Sequence, residues 1–303
     1  MISGMAHVAQ VLSCLRMKFS SLSAAWRSQG TRGALRVALD MATGARSLLA
    51  PDVLDVATRA RAIEIGGPSR CFRRRGILPV YPVVGSLDIV NFSSATIWEG
   101  SLREGAPFAP EGKALGVQFL REATDLAGIG DHSYEVVLSS HCLEHSANAL
   151  RALKEWRRVC APDGYLCLVL PHRDGTFDWR RPVTSMAHYR SDEERDVGED
   201  DDTHFEEIIS LHDVSRDSGL ASREELRRRV ADNVATRSVH HHVLDLRSAV
   251  TLVGESGWTP LAAEARRPYD IVVLARNTSG SRADYDVDSL LRASAFATDR
   301  LTR

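Results

Sequence analysis

The sequence predicts an α/β protein built on a doubly wound, mostly parallel β-sheet. From Arg61 onward, short apolar runs alternate with helical patterns, which is typical of parallel strands joined by covering helices. The first run leads directly into a glycine turn at 66–68, as a strand does before a ligand-binding helix. With 44% hydrophobic and 26% charged residues among 303, the composition is ordinary for a globular protein.

Residues 1–57 are predicted to form a helical cap, because Val8, Val11 and Leu15 recur at helical spacing. The segment is basic, and a basic amphipathic helix can also lie on a membrane surface, so a weak peripheral membrane contact is the alternative. No apolar run approaches the roughly 18 residues of a membrane span. The five cysteines form no CxxC pair, which fits a reducing compartment. We therefore expect a cytoplasmic protein, and its oligomeric state stays open.

Residues 58–277 are predicted to form the main domain. Its first five expected strands are Ala62–Ile65, Gly85–Asn91, Gly116–Ala123, Tyr134–Ser140 and Tyr165–Leu170. A helix is expected over Ala147–Val159, because apolar side chains recur there at helical spacing.

Residues 171–242 interrupt this alternation. The segment is polar, acidic and rich in histidine, and it is too long for a simple connection. We expect a helical insertion that forms a lid or part of a site. Its acidic run at 192–202 lacks the order of an EF-hand loop and is expected to be solvated.

The regular pattern resumes after the insertion. A helix is expected over Leu244–Gly254, followed by two strands, Thr259–Ala265 and Asp270–Ala275. Their short connection predicts an antiparallel pair at the sheet edge. Residues 278–303 are expected to form a flexible tail, with a short helix over Val287–Phe296 as the alternative.

The turn after the first strand is a candidate ligand loop, since it presents free backbone N–H groups and glycine allows close approach. It reads Glu-Ile-Gly-Gly-Pro-Ser, which is not the G-x-G-x-x-G of dinucleotide enzymes. Asp88 and Asp125 follow at the second and third predicted strand ends, where carboxylates can address a ribose and an adenine. The alternatives are an ordinary turn and two helix-capping or surface acids. The predicted cofactor-binding set is Glu64, Gly66, Gly67, Pro68, Ser69, Asp88, Asp125, Leu126 and Ser140.

Four segments together resemble class I S-adenosylmethionine (SAM)-dependent methyltransferases with a type 11-like domain. They are Glu-Ile-Gly-Gly-Pro-Ser at 64–69, Ala-Thr-Asp-Leu at 123–126, and the segments 133–145 and 155–164. The resemblance covers residues 60–172 and 243–277. It implies a Rossmann-like sheet of seven strands with the last antiparallel, the glycine turn and Asp88 at the methionine and ribose of SAM, and Asp125 at the adenine. Gly-Gly-Pro in place of Gly-x-Gly, and Asp163 in place of a glycine, depart from the family pattern.

His141, Glu144 and His145 have i, i+3, i+4 spacing and would share one helix face at the carboxyl edge of the sheet. The set resembles the Glu-x-x-Glu-His metal group of ubiquinone-pathway and small-RNA methyltransferases, which implies a divalent cation, magnesium or zinc. The alternatives are plain hydrogen bonds to neighbouring loops, or the inverted zincin motif H-x-x-E-H of a hydrolase. Without a metal, a neutral histidine can act as general base, and the candidates are His141, His241 and His172.

We therefore expect an enzyme, a SAM-dependent O-methyltransferase acting on a small-molecule or glycan-linked acceptor. The alternatives are a catalytically silent SAM-binding partner, a nucleic-acid methyltransferase and a metal-dependent hydrolase. No nucleic-acid partner is expected, because the insertion is acidic and shows no basic, aromatic groove.

Overall fold

A computed structural model describes Thr31 and residues 46–97, 100–112, 115–217, 219–278 and 285–301. Its strands are β1 Arg61–Ile65, β2 Ser86–Asn91, β3 Pro107–Phe108, β4 Gly116–Leu120, β5 Tyr134–Ser140, β6 Cys160–Pro171, β7 Thr259–Arg266, β8 Asp270–Arg276 and β9 Leu291–Ser294. Its α-helices are α1 Ala50–Ala57, α2 Ala149–Val159, α3 Met186–Glu194, α4 Phe205–Leu211, α5 Arg223–Ala231, α6 Asn233–Thr236, α7 Leu246–Glu255, α8 Val287–Leu290 and α9 Thr298–Leu301. Apart from Thr31, the predicted cap up to residue 45 lies outside the described residues.

The described strands form one sheet in the order β3-β4-β2-β1-β5-β6-β8-β7-β9. Strands β4, β2, β1, β5 and β6 run parallel, and β8 lies antiparallel between β6 and β7. This confirms the predicted α/β class, with the expected antiparallel hairpin of the last two domain strands. The chain order reverses between β1 and β5, which opens a crevice at their carboxyl ends, where ligands of such sheets bind.

The sheet has nine strands where seven were expected. The two additional strands are short edge strands: β3 pairs antiparallel with β4 through two residues, and β9 pairs parallel with β7. Strand β7 is therefore covered by β9 and does not form the sheet edge.

Helix α2 shows why the local sequence folds as it does. Its predicted apolar face is buried, and the fully buried Trp156 donates from Nε1 to the Ala123 carbonyl oxygen at 2.8 Å. Asn148 caps the helix by accepting a hydrogen bond from the Arg151 N–H at 3.1 Å. The helix thereby fixes the segment that follows β4 at the carboxyl edge of the sheet.

The insertion has a small apolar core of its own, formed by Ile208, Leu220, Leu226, Val230 and Val239. It carries α3 to α6 and returns along the carboxyl edge of the sheet. There the His241 N–H donates to the Glu144 carbonyl oxygen at 2.8 Å. The Thr184 N–H donates to the Val243 carbonyl oxygen at 2.9 Å. The insertion therefore packs against the segment that follows β5.

The C-terminal segment differs from the expected flexible tail. Its described part, 285–301, forms α8, β9 and α9 and packs on the domain. The Asp299 carboxylate accepts a hydrogen bond from His172 at 3.1 Å, and the Phe296 ring stacks on the His172 ring with centroids 3.9 Å apart. Burial of these groups explains why the segment is ordered. Among the described helices, none is both long and apolar enough to span a membrane.

Candidate active site

The glycine turn after β1 lies at the crevice. Gly66 has a φ of 81°, and a Cβ there would lie 2.5 Å from Cys142 Sγ. A Cβ on Gly67 would lie 2.3 Å from the Glu64 carboxyl carbon. Both positions therefore require glycine, and they bring the backbone against the segment that follows β5.

Glu64 supports this turn from behind. It is fully buried, and its carboxylate accepts hydrogen bonds from the Ser69 N–H at 3.0 Å and the Tyr81 hydroxyl at 2.7 Å. Burial raises the pKa of Glu64 to about 6, although the hydrogen bonds from Ser69 and Tyr81 lower it. Glu64 was predicted to bind the cofactor, but its carboxylate is turned into the protein and positions residues 64–69.

The acid predicted for the ribose does not lie at the strand end. Strand β2 continues three residues beyond Asp88, whose carboxylate accepts hydrogen bonds from the Val117 N–H and the Tyr134 hydroxyl. Asn91 ends the strand and donates to the Gly67 carbonyl oxygen at 2.9 Å. The assignment of Asp88 is therefore corrected, and Asn91 occupies the place expected for it.

The residues predicted for the adenine follow β4. Asp125 is exposed and accepts a hydrogen bond from the Ala127 N–H at 3.1 Å, while Leu126 is fully buried in the core. Glu122 lies closer to the end of β4 and pairs with Arg237 at 2.8 Å. Glu122 and Ala123 are thus further candidates at the third strand end, and the adenine role of Asp125 and Leu126 stays a prediction.

The segment after β5 is not the helix that the histidine spacing predicted. Ser140 ends the strand, His141 has a left-handed φ of 50°, and Leu143–His145 form a single 3-10 turn. The side chains of His141, Glu144 and His145 therefore do not share a helix face. Within the described residues this segment lacks the helix that the inverted zincin motif requires.

Comparisons with known proteins bear on this geometry. Residues 94–168, which run from the end of β2 through β5 and α2 into β6, match the family model of a methyltransferase domain. This match supports a class I SAM-dependent methyltransferase domain in this part of the chain. The resemblance seen in the sequence is thereby confirmed.

Solved methyltransferases are similar to this domain at low identity. A SAM-dependent methyltransferase from Mesorhizobium loti is 13% identical, with 75% of this chain and 94% of that chain covered and a TM-score of 0.43. The 1,6-didemethyltoxoflavin-N1-methyltransferase of Burkholderia thailandensis is 12% identical, with 86% and 89% covered and a TM-score of 0.44. A SAM-dependent methyltransferase from Methanosarcina mazei is 15% identical, with 75% and 97% covered and a TM-score of 0.42. No curated protein sequence matches the chain.

His141 faces the carboxyl edge of the methyltransferase domain as a cation. Its Nε2 lies 3.0 Å from Asp270 Oδ1 and its Nδ1 lies 3.7 Å from Glu144 Oε1. Burial lowers the pKa of His141, but the neighbouring carboxylates of Asp270 and Glu144 outweigh it and raise the pKa to about 10. A raised pKa disfavours His141 as a general base, and its catalytic role stays a prediction.

The other two predicted bases are buried, and each has its Nε2 beside a polar side chain. His172 is buried, accepts a hydrogen bond from the Asp174 N–H at Nδ1 and pairs with Asp299 through Nε2. His241 is also buried, and its Nε2 lies 3.2 Å from the side-chain amide of Asn233. Because both imidazoles lie away from solvent, both assignments are corrected to structural roles.

Glu144 and His145 meet a different third residue from the one predicted. Their donor atoms group with His240, while His141 pairs with Asp270. The Glu144 carboxylate is buried, and neither oxygen accepts a hydrogen bond from any described residue. The divalent cation expected at His141, Glu144 and His145 stays a prediction, with His240 in place of His141.

Glu199 is a site residue that sequence reasoning missed. It lies in the acidic run expected to be solvated, yet its Oε1 accepts hydrogen bonds from the Ser146 hydroxyl and the Ala147 N–H at 3.3 Å each. Its Oε2 is buried without a hydrogen bond among the described residues, 3.8 Å from Arg237 Nε. Burial raises the pKa of Glu199 to about 7, although Arg237 lowers it. Only the fold of the insertion brings this carboxylate to the domain, so no local sequence signal marks it.

Proposed function

We propose that this chain transfers a methyl group from SAM to a hydroxyl of a small-molecule or glycan-linked acceptor. The observation that carries the proposal is the crevice between β1 and β5. The glycine turn lies at this crevice, and the insertion brings the carboxylate of Glu199 against Ser146 and Ala147 in the segment that follows β5. A glycine turn for the cofactor with a carboxylate nearby as a base would suit this reaction.

The residues at the crevice fit SAM. The backbone of Gly66 and Gly67 would hold the methionine part, because side chains are excluded there. Asn91 would address the ribose, and Glu122 with Ala123 would address the adenine, since both follow strand ends at the same sheet edge. When bound, SAM supplies an electrophilic methyl group on a sulfonium, for which placement of the acceptor contributes much of the rate.

Glu199 is our candidate for the general base. Its Oε2 has no hydrogen-bond donor among the described residues, and it lies beside Ala147, close to the turn that packs on Gly66 through Cys142. A carboxylate with a pKa near the working pH can take up the proton of an acceptor hydroxyl as that oxygen becomes methylated.

The acceptor side supports a polar, oxygen-rich acceptor. The guanidinium of Arg237, which lies 5.2 Å from the centre of the Phe92 ring and 3.8 Å from Glu199, offers a hydrogen-bond donor beside an apolar surface. Sugar rings and phenols carry both hydroxyls and an apolar face. A divalent cation at Glu144, His145 and His240 would orient two such oxygens.

Calorimetry with S-adenosylhomocysteine tests the cofactor part. We expect micromolar-range binding to the wild type and a loss of at least about tenfold in Gly66→Ala, where the added Cβ meets Cys142. Gly105→Ala is the matched control. Gly105 has a similar φ of 72°, and a Cβ there meets no described atom within 4 Å. No binding to the wild type would overturn the proposal.

Turnover tests the chemical part. A panel of sugar and phenol hydroxyl acceptors is incubated with labelled SAM, and methyl ethers are sought by mass spectrometry. Methyl transfer to nitrogen or to nucleic acid would refute a hydroxyl acceptor. SAM binding without transfer to any acceptor would favour a catalytically silent SAM-binding protein.

A further inference from the structure

A separate group of donor atoms lies inside the insertion. The imidazoles of His188, His204 and His242 and the carboxylate of Asp192 place one ligand atom each within 4.8 Å of one another. Asp192 and His242 are buried, and His188 and His204 are half-buried. We propose that these four residues, the insertion cluster, bind one zinc-type divalent ion that holds the parts of the insertion together where His242 contacts Ala147.

The spacing of the donor atoms fits ligands of one ion. His188 Nε2 lies 3.0 Å from His204 Nε2 and 3.2 Å from Asp192 Oδ2. Two ligands on a tetrahedral zinc at ordinary bond lengths lie about 3.3 Å apart. Imidazole nitrogens and a carboxylate oxygen therefore already converge at the distances of a coordination shell.

His242 is held in the tautomer that a ligand needs. Its Nε2 lies 3.2 Å from the Ala147 carbonyl oxygen and donates to it, so the lone pair is on Nδ1. That Nδ1 is buried and has no hydrogen-bond partner among the residues that the structure describes. Metal-binding histidines usually donate their second ring N–H to a backbone carbonyl or carboxylate in this way.

Asp192 presents a carboxylate oxygen to the same point. Its Oδ1 accepts a hydrogen bond from Arg195 at 2.9 Å, and its Oδ2 lies 3.2 Å from His188 Nε2 in a side chain that is 2% exposed. A buried nitrogen without a hydrogen bond, such as His242 Nδ1, is unusual in folded proteins. A bound cation would satisfy this nitrogen and take Asp192 Oδ2 as a further ligand.

Three imidazoles and one carboxylate favour zinc among common cellular divalent ions, and four protein ligands are typical of a structural site. Asp201, His204 and His241 form an overlapping donor group, in which Asp201 accepts a hydrogen bond from Thr203 at 2.6 Å and His241 Nε2 lies 3.2 Å from the Asn233 amide. The ion would join α3, the residue before α4 and the segment that contacts Ala147.

Metal analysis of the full chain, purified without a histidine tag, tests the site. After removal of metal with a chelator and reloading with zinc, we expect about one ion per chain in His145→Ala, in which the donor group of Glu144, His145 and His240 is disrupted. His188→Ala and Asp192→Asn should each weaken zinc affinity by at least about tenfold, because each removes a ligand. His145→Ala, in the other donor group, and His132→Ala, on an exposed histidine, are the controls and should keep the ion.

Two spectroscopic measurements keep the test independent of variant folding. The wild type loaded with cobalt should show the absorption of a tetrahedral site, and X-ray absorption of the zinc form should show imidazole ligands without sulfur. Chelation should lower Tm by at least about 5 °C. The proposal is overturned by failure to bind zinc, by loss of the ion from His145→Ala, or by fewer than two imidazoles at the metal.

Discussion

The hydroxyl of Tyr81 donates a 2.7 Å hydrogen bond to Glu64 Oε2, and both side chains are buried behind the glycine turn. The same hydroxyl accepts a hydrogen bond from the Ser69 N–H at 2.8 Å. Two side chains thus hold both ends of residues 64–69. The shape of the loop that faces the ligand depends on this pair.

Glu64→Gln should remove a pH dependence of stability. The pKa of Glu64 is raised from 4.5 to about 6 in the folded protein, so the folded state binds this proton more tightly. The stability it contributes is fully present below pH 4.5 and is lost as the pH rises through 6. Relative to Glu64→Gln, the wild type should lose about 2 kcal/mol of unfolding free energy between pH 4.5 and 7, measured by urea unfolding.

Tyr81→Phe is the companion variant. The Tyr81 hydrogen bond lowers the pKa of Glu64, so its removal should make the loss of stability with rising pH larger. Parallel curves for the wild type and Glu64→Gln would contradict the raised pKa.

Asn91→Ala should weaken binding of S-adenosylhomocysteine by about tenfold or more, because Asn91 ends β2 at the crevice and orients the Gly67 carbonyl. Asp88→Asn should leave the affinity within about twofold and lower Tm, since its carboxylate accepts from Val117 and Tyr134. Calorimetry and thermal unfolding measure the two effects. The reverse pattern would restore Asp88 as the ribose residue.

Much of the fold could be predicted because local sequence patterns indicate it. The apolar face of α2 and the short connection between β7 and β8 are visible within ten or so residues of sequence. Strands β3 and β9 could not be predicted in the same way. Pro107–Phe108 is too short to show alternation, and Leu291–Ser294 becomes a strand only because β7 offers an unpaired edge.

The candidate site was less predictable for a related reason. Gly66 and Gly67 are marked by a local turn, but Asp88 was misplaced because strand length decides which residue ends β2. Glu199 could not be identified from the sequence, because only the fold of the insertion brings its carboxylate to Ala147. The roles of His141 and His172 depend on Asp270 and Asp299, which are more than a hundred residues away.

Asp270→Asn should lower the pKa of His141 by at least about one unit, because it removes the closest negative charge from the imidazole. NMR titration of the His141 ring protons measures this. In the wild type they should show the protonated form throughout pH 6 to 8.5, since the pKa is raised to about 10. The stability that this proton contributes is present below pH 6.5 and is lost as the pH rises through 10.

Asp163→Asn is the control for that titration, because Asp163 pairs with Arg276 away from His141. It should leave the ring protons of His141 unchanged. A wild-type midpoint near 6.5 would return His141 to the candidates for general base.

Glu199→Gln should lower kcat by about a hundredfold or more, because an amide cannot take up the proton of an acceptor hydroxyl. S-adenosylhomocysteine affinity should change little, since Glu199 contacts the turn at Ser146 and Ala147 and not the glycine loop. The wild-type rate should fall as the pH drops below about 7, where Glu199 becomes protonated, and the variant should not show this fall. Glu193→Gln, which breaks only a surface pair with Lys154, is the matched control and should keep both the wild-type rate and its fall below pH 7. A full rate in Glu199→Gln, measured with an acceptor that the wild type methylates, would assign the base elsewhere, and His145 beside Glu144 would be the next residue to change.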